Sequence, residues 1–143
     1  MAHKSDSAAQ REAEEAIRVA LSESLDTTLA ETDLTLANGS QVRIDAVDAD
    51  ETIFVEIFAR QGRPRGGQLH KVSTDTLKLA TLKRERPTAR CMLAFADTEA
   101  AAPFQGKSWR SAAIRDWEID IVVVEIDDEV RAAQVRQVMV NAR

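Results

Sequence analysis

The sequence predicts an α/β domain in three layers, a mixed β-sheet covered by helices on both faces. Short strand-like runs alternate with segments of helical period, and the first three runs are joined by tight turns, which makes them an antiparallel meander. Later runs are joined through helical segments, which makes their pairing parallel and buries the sheet on both sides. With 143 residues the chain fits one domain, 1–143, able to bury roughly two thirds of its unfolded surface without disulfides or a structural metal.

Residues of about 1–6 read as a disordered tail. Ser5 or Asp6 can cap a first helix that runs to about Leu25 with Ala13, Ile17, Ala20 and Leu21 along one face. On that helix Glu14 falls about 60 degrees from Ile17, on the rim of the apolar face, whereas Glu12 and Glu15 point farther away. In LTLANGSQVRIDAV, Asn38-Gly39 between alternating runs is a hairpin signal, and DADET turns the chain again into IFVEIFA. The three strands so defined are about 34–37, 41–47 and 53–59. GRPRGG breaks the pattern, and a helix of about 67–85 follows, stopped by Pro87. RCMLAFA gives a strand at about 90–96, and the stretch to Trp117 is a loop with one or two helical turns. WEIDIVVVEI gives a last strand at about 118–126. DDEVRAAQVRQVMVNA closes the chain as a helix with acidic residues in its first turn.

Composition removes several function classes. Cys91 is the single cysteine, which excludes a disulfide framework and a cysteine-based zinc site within one chain and reads as a small buried hydrophobe. The N-terminus lacks the apolar core of a signal peptide, and no apolar run approaches the roughly 20 residues of a membrane span, so a cytoplasmic protein without a membrane partner is expected. GRPRGG lacks the lysine and spacing of a P-loop, and only His3 and His70 are present to serve a serine nucleophile, so neither nucleotide hydrolysis nor serine chemistry fits. His70 points away from the polar stripe described below and reads as a surface residue. Trp117 reads as core; Trp109, between Lys107 and Arg110, reads more readily as packing than as a base-stacking platform. Net charge is −5, but residues 60–90 hold nine Lys/Arg against Asp75 and Glu85, a local +7 that leaves −12 for the rest. Such asymmetry fits a phosphate-binding face on an acidic body, or a solvated basic helix.

One residue resists the bland reading. Glu56 stands in the middle of IFVEIFA, where burying an ionised carboxylate is costly unless a positive partner compensates. Period-2 alternation puts Arg43 and Asp45 on one face of QVRIDAV and Val42, Ile44 and Ala46 on the other. Asp45 and Glu56 lie on neighbouring strands of the meander, where one register brings the two carboxylates together. Two adjacent carboxylates repel unless a cation lies between them, and Mg²⁺ (or Mn²⁺), held by one or two carboxylates plus water and substrate phosphate, is the economical cation. Glu14 can add a third oxygen. On the next helix, Gln68, Lys71, Asp75 and Lys78 form a polar stripe about 80 degrees wide, fit either for a scissile phosphate or for simple i,i+3 and i,i+4 pairing.

The ordered set of Asp45 in VRIDAV, Glu56 in IFVEIFA and Gln68-Leu-His-Lys71 opening the next helix resembles the PD-(D/E)XK, or restriction endonuclease-like, nuclease superfamily, over about residues 10–126. The resemblance implies a mixed sheet flanked by helices and divalent-metal-dependent hydrolysis of phosphodiester bonds. Carried over by position, Asp45 and Glu56 are metal ligands and Glu14 resembles the helix glutamate of some members. The family's lysine, two residues after the second acid, falls on Phe58, and Ile44 replaces the family's proline. Some members carry the lysine on the following helix, which makes Lys71 the candidate with Gln68 as helper. Members that have lost part of the motif act as binding modules, so a catalytically inactive nuclease-fold module in nucleic-acid or protein binding stays open. The expected partner is nucleic acid, DNA ahead of RNA, with a homodimer or larger protein delivering it, since the chain leaves no room for a separate target-recognition domain.

Overall fold

Burial on both faces of one sheet organises the chain. The computed structural model describes residues 4–126, so the closing helix expected over 127–142 lies outside the described residues. The N-terminal amphipathic segment forms α1, Lys4–Ser24; it starts before Ser5 and Asp6, which therefore lie within the helix and do not cap it. Its apolar stripe, Ala13, Ile17 and Leu21, packs on one face of the sheet against Val55 and Ile57 of β3 (Ile53–Phe58) and Met92 and Ala94 of β4 (Arg90–Phe95). The opposite face carries Phe54, Cys91, Leu93 and Phe95, covered by Val72, Leu79 and Leu82 of α2 (Gly67–Glu85) and by Phe104 and Ile114 from the connection after β4. Alternate residues of β3 and β4 thus serve opposite cores, which is why both strands read as nearly continuous apolar runs.

The sheet is mixed, with five strands in the order β1-β2-β3-β4-β5. β1 (Leu29–Thr35), β2 (Gln41–Asp48) and β3 pair antiparallel as the meander, whereas β3 with β4 and β4 with β5 (Asp120–Val123) pair parallel across helical connections. The first hairpin turns at Asn38-Gly39, where Gly39 adopts φ 89°, a backbone conformation that favours glycine. β1 begins five residues before the expected start. Its sequence, LAETDLT, carries three exposed acidic or hydroxyl side chains, the composition of an edge strand, and pairing with β2 decides its conformation where apolar periodicity does not.

The segment after β4 is more helical than expected. Asp97 accepts a hydrogen bond from Ala100 N–H to start α3 (Thr98–Ala101), a 3₁₀ turn over Ala102–Phe104 follows, and Ser108 caps α4 (Trp109–Asp116) by accepting from Ser111 N–H. β5 is shorter than the run WEIDIVVVEI at both ends: Glu118 takes a left-handed φ of 56° before the strand starts at Asp120, and the strand ends at Val123. Both tryptophans are exposed: Trp117 stands at the end of α4, against the expected core packing, and Trp109 opens α4, which rules out core packing for it and leaves interface packing or base stacking. Cys91 is fully buried, as expected. Among the described residues no helix is long and apolar enough to cross a membrane.

Leu93 lies on β4, an interior strand of the sheet, and is wholly buried in the core under α2. Leu93→Ala is expected to lower stability in urea unfolding by about 2–5 kcal/mol; a loss below about 1 kcal/mol would mean that this face is not tightly packed.

Candidate functional site

The strand ladder itself makes the site. Opposite β1, Ala30 pairs with Val47 and Thr32 with Ile44, so Glu31 alone faces Asp45 and Ala46. This extra residue in β2 is a bulge. It breaks the alternation expected through QVRIDAV: Val42 and Ile44 pack with the α2 core, Ala46 turns to the α1 core, and Val47 returns to the α2 side. On the other edge of β2 the regular pairing with β3 covers Ala46 with Val55 and Val47 with Phe54. One residue farther along, the acidic side chains take over the backbone's partners. Asp45 N–H donates to Glu56 Oε1 at 2.9 Å, and Ile57 N–H donates to Asp45 Oδ2 at 2.8 Å. The bulge supplies donors that the ladder leaves without a carbonyl, and two carboxylates accept them.

The stripe on α2 faces this pair. Lys78 Nζ lies 3.0 Å from Glu56 Oε2, donates to the carbonyl of Arg43 at 3.0 Å, and stands 3.5 Å from Asp75 Oδ1. Asp75 Oδ2 in turn accepts from Lys71 Nζ at 3.0 Å, and the Lys71 ammonium is 6.0 Å from the centre of the Phe58 ring. The side chains grade from inside to outside: Glu56 is 1% exposed, Asp75 3%, Lys78 31% and Lys71 61%. A chain of alternating charge therefore runs from the buried acid to the surface.

The sequence-derived candidates divide accordingly. Asp45 and Glu56 are brought together on neighbouring strands. Lys71 is joined to them through Asp75 and Lys78, not directly. Gln68 is turned to the start of α2, where its Oε1 accepts from Arg65 N–H at 3.0 Å. Glu14, half-buried on α1, makes no hydrogen bond or ion pair with Asp45 or Glu56 among the described residues, but it lies within the electrostatic reach of Asp45 and Lys71. Asp75 and Lys78 are the additions. The stripe contained both, and its pairing with the acid strand was hidden because only the sheet register decides which α2 residue stands over Glu56.

Positive charge is short at this site. Burial, then the charges of Asp45 and Asp75, push the Glu56 carboxyl up to about 8, against the opposing pull of Asp45 N–H and Lys78. Burial also raises Asp45, opposed by Ile57 N–H and Lys71, and raises Glu14, where the charge of Asp45 adds to it and Arg18 and Lys71 oppose it. For Lys71 and Lys78 burial works downward, but the bonds to Asp75 and Glu56 win and both ammonium groups are held above their ordinary value. Arg18 contributes through Nε to the carbonyl of Asp45 while its Nη1 pairs with Glu15. Four carboxylates, Glu14, Asp45, Glu56 and Asp75, thus share two ammonium groups and the Arg18 guanidinium, and a proton or a further cation relieves the excess.

Hard oxygen donors of this kind suit Mg²⁺ or Mn²⁺, so the chemistry of the donor set fits such an ion. The fit has a cost: both Glu56 oxygens are already engaged, one by Asp45 N–H and one by Lys78, so an ion at Glu56 has to share an oxygen with one of them and sits close to the Lys78 ammonium. Among the described residues, no three carboxylate, histidine or cysteine side chains converge as a ready-made metal site. No protein-family model, curated protein or solved structure matches the chain.

The raised Glu56 carboxyl sets a pH dependence. In the unfolded chain this group releases its proton near 4.5, in the folded chain near 8, so the folded form binds more protons between these values. Its contribution to stability is complete below the lower value and is lost as pH rises through the upper one. Removing the ammonium by Lys78→Met should therefore cost about 3–5 kcal/mol at high pH, where the folded variant must hold Glu56 either unpaired or protonated against the pH, and clearly less near about pH 5. Urea unfolding at both pH values checks this; an equal loss at both would mean that Glu56 stays ionised throughout.

Proposed function

We propose that the chain is a divergent nuclease of the PD-(D/E)XK type, hydrolysing phosphodiester bonds of nucleic acid, DNA ahead of RNA, with Mg²⁺ or Mn²⁺. The observation that carries this reading is the pair Asp45 and Glu56 at a strand bulge, short of positive charge and faced by lysines from the following helix. The order of α1, three antiparallel strands, α2 and a parallel fourth strand supports a restriction endonuclease-like architecture. Asp45 and Glu56 would hold the ion, with Glu14 contributing from α1. When bound, such an ion activates water and stabilises the charge that develops on phosphate.

The remaining roles fall to the chain's own side chains. Lys71 approaches Phe58, the position at which the family's lysine would stand, and at 61% exposure its ammonium can meet an incoming phosphate. This supports transfer of the lysine's role from the strand to α2. Asp75 orients Lys71 and Lys78 together, and Lys78 keeps Glu56 compensated in the absence of the ion. Gln68 acts on the substrate side only if it leaves the Arg65 amide. Nucleic-acid delivery by a second copy or a larger partner, in the cytoplasm, completes the reading.

A second reading has its own observation. Glu56 is 1% exposed with both oxygens engaged, as a structural ion pair pinning α2 to the sheet would be. The chain would then be a nuclease-fold binding module without catalysis. Incubation with single- and double-stranded DNA and RNA in Mg²⁺ or Mn²⁺ separates the two. The nuclease reading expects cleavage that Glu56→Gln or Asp45→Asn reduces by roughly 100-fold or more. Cutting that persists in Glu56→Gln removes the Asp45–Glu56 pair from the reaction, whereas binding without cutting in either ion removes the nuclease reading and leaves the module.

A further inference from the structure

On the far side of α2 from the acidic pair, α2 and α4 enclose an apolar slot of about 150 Å³ lined by Val72, Thr76, Leu77, Trp109, Arg110 and Ile114. Its outer walls are the two most exposed large apolar residues of the described chain, Leu77 at 69% and Trp109 at 67%. The Trp109 wall is braced. The Arg110 guanidinium lies 4.5 Å from the indole centre, and Arg110 Nε donates to Ser73 Oγ on α2 at 2.7 Å, which fixes the arginine against the neighbouring helix. Holding an indole open to water over an apolar hollow is unfavourable for folding alone, and an adjacent cation is a frequent partner of aromatic anchors at binding surfaces.

Charge identifies the occupant. Among the described residues, neither Arg110 nor the exposed Lys107 pairs with a carboxylate. The topology brings further cations to the same end of the sheet: Arg63 and Arg65 precede α2, Lys71 lies in its first turns, and all three are exposed. An aromatic wall next to Arg110 and Lys107, which have no carboxylate partner among the described residues, is the combination that binds single-stranded nucleic acid, stacking a base while the cations follow the phosphates. A base inside a duplex is already stacked and paired, so only an unpaired one can enter.

We propose that the slot between α2 and α4 receives an unpaired base of a single-stranded nucleic acid, stacked on Trp109, with Arg110 and Lys107 at the adjoining phosphates. The inference rests on the nuclease reading only for what happens to that strand afterwards; as a binding surface it stands alone.

The test uses the full chain in the presence of a chelator, so that nothing is cut. Anisotropy of a labelled oligothymidylate and of a duplex of the same length gives both affinities, and unfolding curves confirm that each variant is folded. Trp109→Ala should weaken single-strand binding roughly 10-fold or more while Trp109→Phe keeps most of it. In Trp117→Phe, whose remaining indole is Trp109, unlabelled oligothymidylate should quench the fluorescence. Equal affinity of Trp109→Ala and the wild type, a preference for duplex, or no binding at all overturns the proposal. So does a change in sedimenting mass caused by Trp109→Ala, which would make the slot a contact between protein chains. Trp109-dependent binding by a wild-type chain that cuts nothing in Mg²⁺ removes the nuclease reading and leaves the slot, whereas cutting that Glu56→Gln abolishes, with normal single-strand binding by Trp109→Ala, is the reverse.

Discussion

The structure turns on one exchange of hydrogen bonds. At the β2 bulge opposite β1, one residue beyond the last pair with β3, Asp45 N–H bonds to the Glu56 carboxylate and Ile57 N–H bonds to the Asp45 carboxylate. Buried donors must find acceptors, and here two acidic side chains serve where strand carbonyls otherwise would. The sheet is thereby closed by groups that carry charge. Everything notable about the site follows from that substitution: the acids are fixed in place by the backbone, they are buried because the backbone is, and they repel each other because they are close.

Fixing two carboxylates in a core creates a demand for positive charge, and α2 answers it in part. Lys78 reaches Glu56, Asp75 bridges Lys78 to Lys71, and Lys71 extends the series to the surface beside Phe58. The compensation is incomplete, as the raised Glu56 and Asp45 carboxyls record. A buried ion pair is weak evidence for stability, since packed apolar residues often serve as well. An undercompensated group of carboxylates beside a lysine series is the observation on which the proposed cation site rests.

The architecture was legible because its signals are local. Asn38-Gly39 fixed the first hairpin, the apolar runs IFVEIFA and RCMLAFA marked the doubly covered strands, and Glu56 stood out as an acid in an apolar run. The bulge at Asp45 was not legible, because QVRIDAV alternates well and an inserted residue shows only in the pairing with β1. The stripe on α2 held both Lys71 and Lys78, and the family resemblance singled out Lys71, yet Lys78 makes the contact with Glu56; helical spacing ranks residues around an axis but does not set the height of the helix over the sheet. Trp117 was expected in the core and is exposed, because a large apolar side chain at the end of a short helical segment looks the same in sequence whether it faces the core or water.

Proton release on ion binding tests the central claim most directly. Titrating the protein with Mn²⁺ near neutral pH in a weak buffer, and following both heat and pH, reports whether the ion displaces the proton held by the acidic cluster. The account predicts saturable binding with release of up to about one proton per ion, both lost in Glu56→Gln. Absence of binding, or binding with the same proton release in Glu56→Gln, would contradict it.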